Sequence, residues 1–79
     1  MSEIKLEYPV EVGGVPLDKI NMRRPKVKDQ LVAKKSSKSQ DEIEVQLFAN
    51  LCEVAPAVIE NMDMKDYSKL QKEYRSFLS

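Results

Sequence analysis

Gly13 and Gly14 are the two glycines of this 79-residue chain, and they stand side by side after an alternating apolar stretch. A glycine pair accepts the positive φ values that a tight hairpin turn demands. Before it, Ile4, Leu6, Tyr8 and Val10 alternate with Lys5, Glu7 and Pro9. Period two with β-branched and aromatic residues predicts a half-buried strand. Pro9 has no N–H to give a ladder, so this is an edge strand or the end of one. Val12 to Pro16 is the predicted turn, and Leu17 to Arg24 the return strand, with Ile20 and Met22 on one face. These readings place an N-terminal β-hairpin over residues 1–24.

Residues 25–79 change period. Pro25 suits a first helical position, where its missing N–H is not needed, and predicts a helix running to about Lys35. Val27, Leu31 and either Val32 or Lys34 form its expected inner stripe. Ser36 to Ser39 reads as a polar loop and the most mobile part of the chain. Ser39 and Glu42 have capping-box spacing, and the helix they open carries Ile43, Leu47, Phe48, Leu51 and Cys52 on one wide face. That helix is the expected core element. Pro56 starts a further turn of helix over Ala57 to Asn61. Asp63 caps a last helix, with Asp66 suited to the dipole of its first turn. Tyr67, Leu70, Tyr74, Phe77 and Leu78 fall at spacings that share one stripe. The expected fold class is α+β, one domain over 1–79, with a hairpin followed by about three α-helices.

A chain this short buries roughly 60% of its unfolded surface and retains about 3–5 kcal/mol of net stability. Its 42% hydrophobic content suffices for one core. The 13 cations and 13 anions cancel, but they are not mixed evenly: residues 1–18 carry net −3, residues 19–38 net +7 and residues 39–79 net −4. The basic block can meet an acidic partner or nucleic acid, or can simply pack beside the acidic helix. Zero net charge permits self-association.

Catalytic chemistry finds little support. The chain has no histidine and a single cysteine, Cys52, set among Leu51, Val54 and Ala55 as a small core residue. One cysteine makes neither an intrachain disulfide nor a zinc site. Asp41, Glu42 and Glu44 cluster, but a helix first turn collects acids for its dipole. Gly13-Gly14 lacks the G-x-x-x-x-G-K context of a phosphate loop. The N-terminus lacks a signal pattern, and no apolar run approaches the roughly 20 residues of a membrane span. No catalytic residue, cofactor or metal is therefore expected, and no membrane.

Two binding features stand out. Arg23, Arg24 and Lys26 surround Pro25 beside a helix N-terminus, an arrangement able to attract anions. No standard nucleic-acid module accompanies them, which disfavours nucleic acid as the partner. The Tyr67, Leu70, Tyr74 and Phe77 stripe either packs on the hairpin or the Ile43–Leu51 helix, or forms a seam for a second copy or a partner helix.

Four segments, in order, resemble a known family. They are Leu6-Glu7-Tyr8-Pro9-Val10 before the glycine turn; Met22-Arg23-Arg24-Pro25-Lys26-Val27-Lys28-Asp29; Glu44-Val45-Gln46-Leu47-Phe48-Ala49-Asn50-Leu51-Cys52; and Met62-Asp63-Met64-Lys65-Asp66-Tyr67 with Leu70-Gln71 and Phe77-Leu78. The second is the most specific. The pattern is similar to the small tail assembly chaperones of tailed phages, the family that includes tail protein E of contractile-tailed phages and its Mu-type relatives. Residues 36–39 depart from it, since glycine or acidic residues are expected there.

The resemblance implies a non-enzymatic protein of the bacterial host cytoplasm, encoded by a phage or prophage and absent from the mature virion. It implies binding to the tape measure protein until tail tube subunits polymerise around it. Tube subunits, a longer frameshifted product and a homo-oligomer are further implied partners, and the length suits the short form of such a pair. Arg23, Arg24 and Lys26 are the expected charged contacts, and Tyr67, Leu70, Tyr74 and Phe77 the apolar ones. The alternative is a small nucleic-acid-binding regulator using residues 19–38.

Overall fold

A computed structural model of the chain describes residues 2–36 and 38–79. The elements run β1 (Ser2–Val12), β2 (Val15–Met22), α1 (Val27–Ser36), α2 (Gln40–Cys52), α3 (Pro56–Glu60) and α4 (Met64–Leu78). The two strands pair antiparallel and form a two-stranded sheet against which α2, α3 and α4 pack, with α1 lying on α2. The fold is α+β, a hairpin followed by helices.

The turn is tighter than the sequence suggests. Only Gly13 and Gly14 lie in it, at φ 60° and 81°, and Val12 pairs directly with Val15. Two adjacent positive φ values match the right-handed twist of the flanking strands, so a two-residue loop suffices and the return strand begins at Val15, not Leu17. Pro16 is tolerated within β2 because both strands of a two-stranded sheet are edges.

The register runs regularly from Ser2↔Met22 to Lys5↔Lys19, breaks, and resumes at Val10↔Leu17. Residues 6–9 thus form an irregular bulge in β1. Ile4, Leu6 and Val10 are buried as expected, but Tyr8 is 53% exposed. The bulge interrupts the alternation and turns Tyr8 out of the stripe.

α1 differs most from expectation. Its first helical residue is Val27, not Pro25. Lys26 takes the capping position: its N–H donates to the Asp29 carboxylate at 2.9 Å, while its carbonyl accepts from the Asp29 N–H at 3.0 Å. The three-residue spacing is that of a capping box with aspartate at N3. The helix is also rotated relative to its apolar residues. Asp29 and Ala33 face inward, whereas Val27, Leu31 and Val32 are exposed. The Asp29 clamp described below fixes the rotation, and small Ala33 lets α1 approach α2 closely.

α2, α3 and α4 follow the sequence more nearly. Ser39 accepts from the Glu42 N–H at 3.2 Å, and the Glu42 carboxylate accepts from the Ser39 hydroxyl at 3.1 Å. α2 ends at Glu53, whose φ of 57° is the left-handed conformation usually given to glycine. Pro56 opens α3, and Asp63 caps α4 by accepting from the Lys65 N–H at 2.9 Å. In the expected 36–39 loop, Ser36 closes α1, and Lys38 and Ser39 lead into α2; Ser37 lies outside the described residues.

The core gathers Ile4, Leu6, Val10, Ile20 and Met22 of the hairpin under Leu47, Phe48, Leu51, Ile59 and Leu70. Among the buried polar side chains, Asp66 is fully enclosed. Rather than merely serving the dipole of α4, its two oxygens accept from the backbone N–H groups of Glu7 and Tyr8 at 2.9 and 3.0 Å. The bulge frees those donors from the ladder, and Asp66 satisfies them. Lys69 completes the site, 3.3 Å from Asp66 and donating to the Lys5 carbonyl at 3.0 Å.

Candidate functional site

The basic segment divides into one structural cation and several outward ones. Arg23 donates through both terminal nitrogens to the two oxygens of Asp29, at 2.9 and 2.7 Å. Such a fork-to-fork pair is strong and directional. The Arg23 hydrogen bonds hold the Asp29 carboxyl below the usual range despite its burial, with the Lys26 N–H adding to them. The same hydrogen bonds raise the Arg23 guanidinium. The Arg23 N–H donates to the Leu51 carbonyl at 3.0 Å, which ties the segment to the end of α2. Arg24 reaches the other way, its guanidinium carbon 5.9 Å from the centre of the Phe77 ring, a cation–π distance. Lys26 is exposed and has no ion-pair partner among the described residues.

The aromatic stripe of α4 lies along α2. Leu70 is fully buried. The rings of Tyr67 and Tyr74 flank Phe48, each with its centroid 5.6 Å away and tilted by 51° and 53°. Tilted pairs are the favoured aromatic geometry. The Tyr67 hydroxyl donates to Glu44, whose same oxygen accepts from Gln71 at 2.8 Å. Burial, and then the Glu44 carboxylate, raise the Tyr67 phenol. Tyr74 and Phe77 are half-buried at the margin of the core.

Structure thus brings together Arg24 and Phe77, which lie far apart in sequence, while Arg23 is partly buried against Asp29 and Leu70 is fully buried. Beside Tyr74, a groove of about 230 Å³ opens where α1, α2 and α4 meet. Ile43, Leu47 and Phe48 of α2 line it together with the polar Gln40, Asp41 and Glu44, and Gln30 and Lys34 stand on its α1 side. Gln30 has no signal in the sequence, and Lys34 appears there only as an option for the inner stripe of α1, because the position of both depends on how α1 is rotated. Phe48 carried a signal, being the one aromatic residue of the expected core helix.

Cys52 is buried, and burial pushes its thiol up to about 12, so it stays protonated at neutral pH and is a poor nucleophile. Among the described residues no helix is long and apolar enough to cross a membrane.

The family model described as phage tail assembly chaperone proteins, E, or 41 or 14, matches residues 3–79. No curated protein and no solved structure matches the chain. The match spans both strands and all four helices, and the chain belongs to this family of phage tail assembly chaperones.

Proposed function

We propose that this tail assembly chaperone binds the tape measure protein in the host cytoplasm, holds it soluble while the tube forms, and leaves before the virion is complete. The role is non-enzymatic. One observation carries the reading: a groove of mixed character, edged by Tyr74 and by the apolar Ile43 and Leu47 and flanked by polar residues of α1 and α2, with Phe77 and the outward cation Arg24 on the same side of α4. A long helical protein with apolar stripes aggregates when unassembled. A groove with an aromatic wall accepts such a stripe, and a cationic rim accepts acids beside it. Of the seven expected contacts, we assign the exposed Arg24 and Lys26 and the half-buried Tyr74 and Phe77 to the partner. Leu70 is fully buried, and Arg23 and Tyr67 are each tied to a carboxylate of the fold, so these three support the surface. Tube subunits and a longer frameshifted product are further partners of this reading.

Co-expression with the tape measure protein of the same gene cluster, followed by affinity capture of this chain, tests it. The tape measure protein should become soluble and co-purify. Phe77→Ala and Arg24→Glu should each weaken capture about tenfold, the loss of one good interface contact, with unchanged circular dichroism. If the tape measure protein stays insoluble even with the longer product present, the reading fails. The nucleic-acid alternative uses Lys26, Lys28, Lys34 and Lys35, and would show as binding that weakens steeply with salt.

A further inference from the structure

The two strands of the hairpin carry apolar patterns that no single register can bury. Directly opposed residues of an antiparallel pair point to one face, and each face repeats every two residues. At the base of the hairpin Ile4 opposes Ile20, both are buried, and Met22 follows on the same face. At the tip Val10 opposes Leu17, again on the inner face. Ile4 and Val10 are an even distance apart in β1, whereas Leu17 and Ile20 are an odd distance apart in β2. Extended from the tip without interruption, the ladder would set Lys19 and Asn21 under the helices and turn Ile20 and Met22 to solvent. The bulge resolves the conflict. Residues 6–9 of β1 stand against Asp18 alone, an odd excess that brings the inner faces of both halves onto the core.

The hairpin is thus two short ladders joined at residues 6–9, and side chains of α4 hold the joint where strand pairing lapses. Asp66 accepts from the N–H groups of Glu7 and Tyr8 at 2.9 and 3.0 Å. Lys69 donates to the Lys5 carbonyl at 3.0 Å, and the Lys65 ammonium lies 2.9 Å from the Glu7 carboxylate. Pro9 has no N–H that would need a ladder partner there. The base half is anchored separately: Ile4, Ile20 and Met22 lie in the core, and the Arg23 N–H donates to the Leu51 carbonyl at 3.0 Å. The tip half has less purchase. Val10, next to the joint, is its only buried residue, while Val12 and Val15 on the same face are 44% and 66% exposed.

We propose that the hairpin is hinged at the bulge: the tip half, residues 10–17, tilts as a unit about Val10 while the base half stays fixed to the helices, and Asp66 is the latch that sets the angle of the tip. A hinge needs only a few irregular residues to absorb changes in φ and ψ, and residues 6–9 supply them. A two-residue turn and direct cross-strand pairs keep the tip rigid within itself. Asp66 is fully enclosed and meets both donors, so the latched form is the resting one. Release moves the uncovered Val12 and Val15 relative to the helices and leaves the core packed. The hinge belongs to the isolated chain, whatever that chain binds.

Residual dipolar couplings of the full chain, measured for the wild type and for Asp66→Asn, test this hinge. In the wild type one alignment frame should fit the helices and both halves of the hairpin. In Asp66→Asn the helices and the base half should keep that frame, whereas the couplings of residues 10–17 should shrink together and still fit one frame of their own. The order parameter of the tip should fall from about 0.85, that of rigid backbone, to below about 0.6. A single frame that still fits the whole variant overturns the proposal. So does a tip whose couplings fit no frame, which is fraying and not tilting, or a base half that loosens with the tip. Should Asp66→Asn lose its circular dichroism signal, Lys69→Met takes its place, since it removes the donor to Lys5 and the ion pair with Asp66 but keeps the aliphatic stem. Its tip couplings should shrink in the same way by a smaller amount, and unchanged couplings overturn the proposal equally.

Discussion

At Asp66 the chain places a carboxylate with no solvent exposure, and the placement is stable because each oxygen meets a backbone N–H that the β1 bulge has released. Burial opposes its ionisation, but the N–H groups of Glu7 and Tyr8, with Lys69, outweigh it and hold the carboxyl below the usual range. An amide cannot replace this group, since its NH₂ would face one of the donors. Asp66→Asn should therefore cost about 2 kcal/mol, the penalty of a buried donor left without an acceptor. A urea unfolding curve measures it, and a loss below about 0.5 kcal/mol would show that water reaches the bulge. Glu53 is the opposite case, a residue in a conformation its side chain resists. Glu53→Gly removes a left-handed penalty of about 1 kcal/mol, less the added freedom of the unfolded chain. A small rise in the urea midpoint should result, and a fall would mean that Glu53 contributes more through its charge near Arg23 than its backbone loses.

At the scale of elements, α1 and α2 divide the work differently from what their apolar content implies. α2 buries its wide face in the core, and Phe48 is fully enclosed. α1 carries three aliphatic residues outward and is held by a salt bridge and an alanine. Leu31→Lys should consequently change stability by less than about 0.5 kcal/mol, as exposed substitutions do. Phe48→Ala should cost about 3–5 kcal/mol, comparable with the whole stability of so small a domain, and leave the chain unfolded. Thermal melts of the two variants, followed by circular dichroism, compare these outcomes directly. A large loss at Leu31 would place it in the core.

For the whole molecule, two aspartates link the parts. Asp29 joins the hairpin's exit to α1, and Asp66 joins the bulge of β1 to α4. Both carboxyls titrate lower in the folded chain than in the unfolded one. Their contribution is complete above the ordinary aspartate value of about 3.9 and drains as pH falls through the lowered folded values. Stability should therefore change little between about pH 7 and 5 on their account and drop steeply below about 4. Urea unfolding at a series of pH values reads this directly. In Asp66→Asn the acid drop should be shallower, because one of the two linked protons is gone. Equal slopes in the two proteins would remove Asp66 from the linkage.

Local signals alone determined much of the architecture. Alternation and a glycine pair specify the hairpin, because side chains on a strand repeat every two residues and adjacent positive φ values belong to glycine. Ser39, Pro56 and Asp63 mark helix starts because each acts on backbone groups within three residues of itself. The family, too, was legible: the resemblance read from Met22 to Asp29 and the segments around it agrees with the family model that matches residues 3–79. Only the tertiary structure decided the rest. The rotation of α1 follows from Arg23 and Leu51 on neighbouring elements, so three aliphatic residues that read as a core stripe became surface. The bulge that exposes Tyr8 is held by Asp66, more than fifty residues away. Arg24 meets Phe77 across a similar gap, and Phe48 meets both Tyr67 and Tyr74 from a different helix. Such contacts depend on which of several apolar faces the chain can bury together, and no periodicity within a single element records that choice.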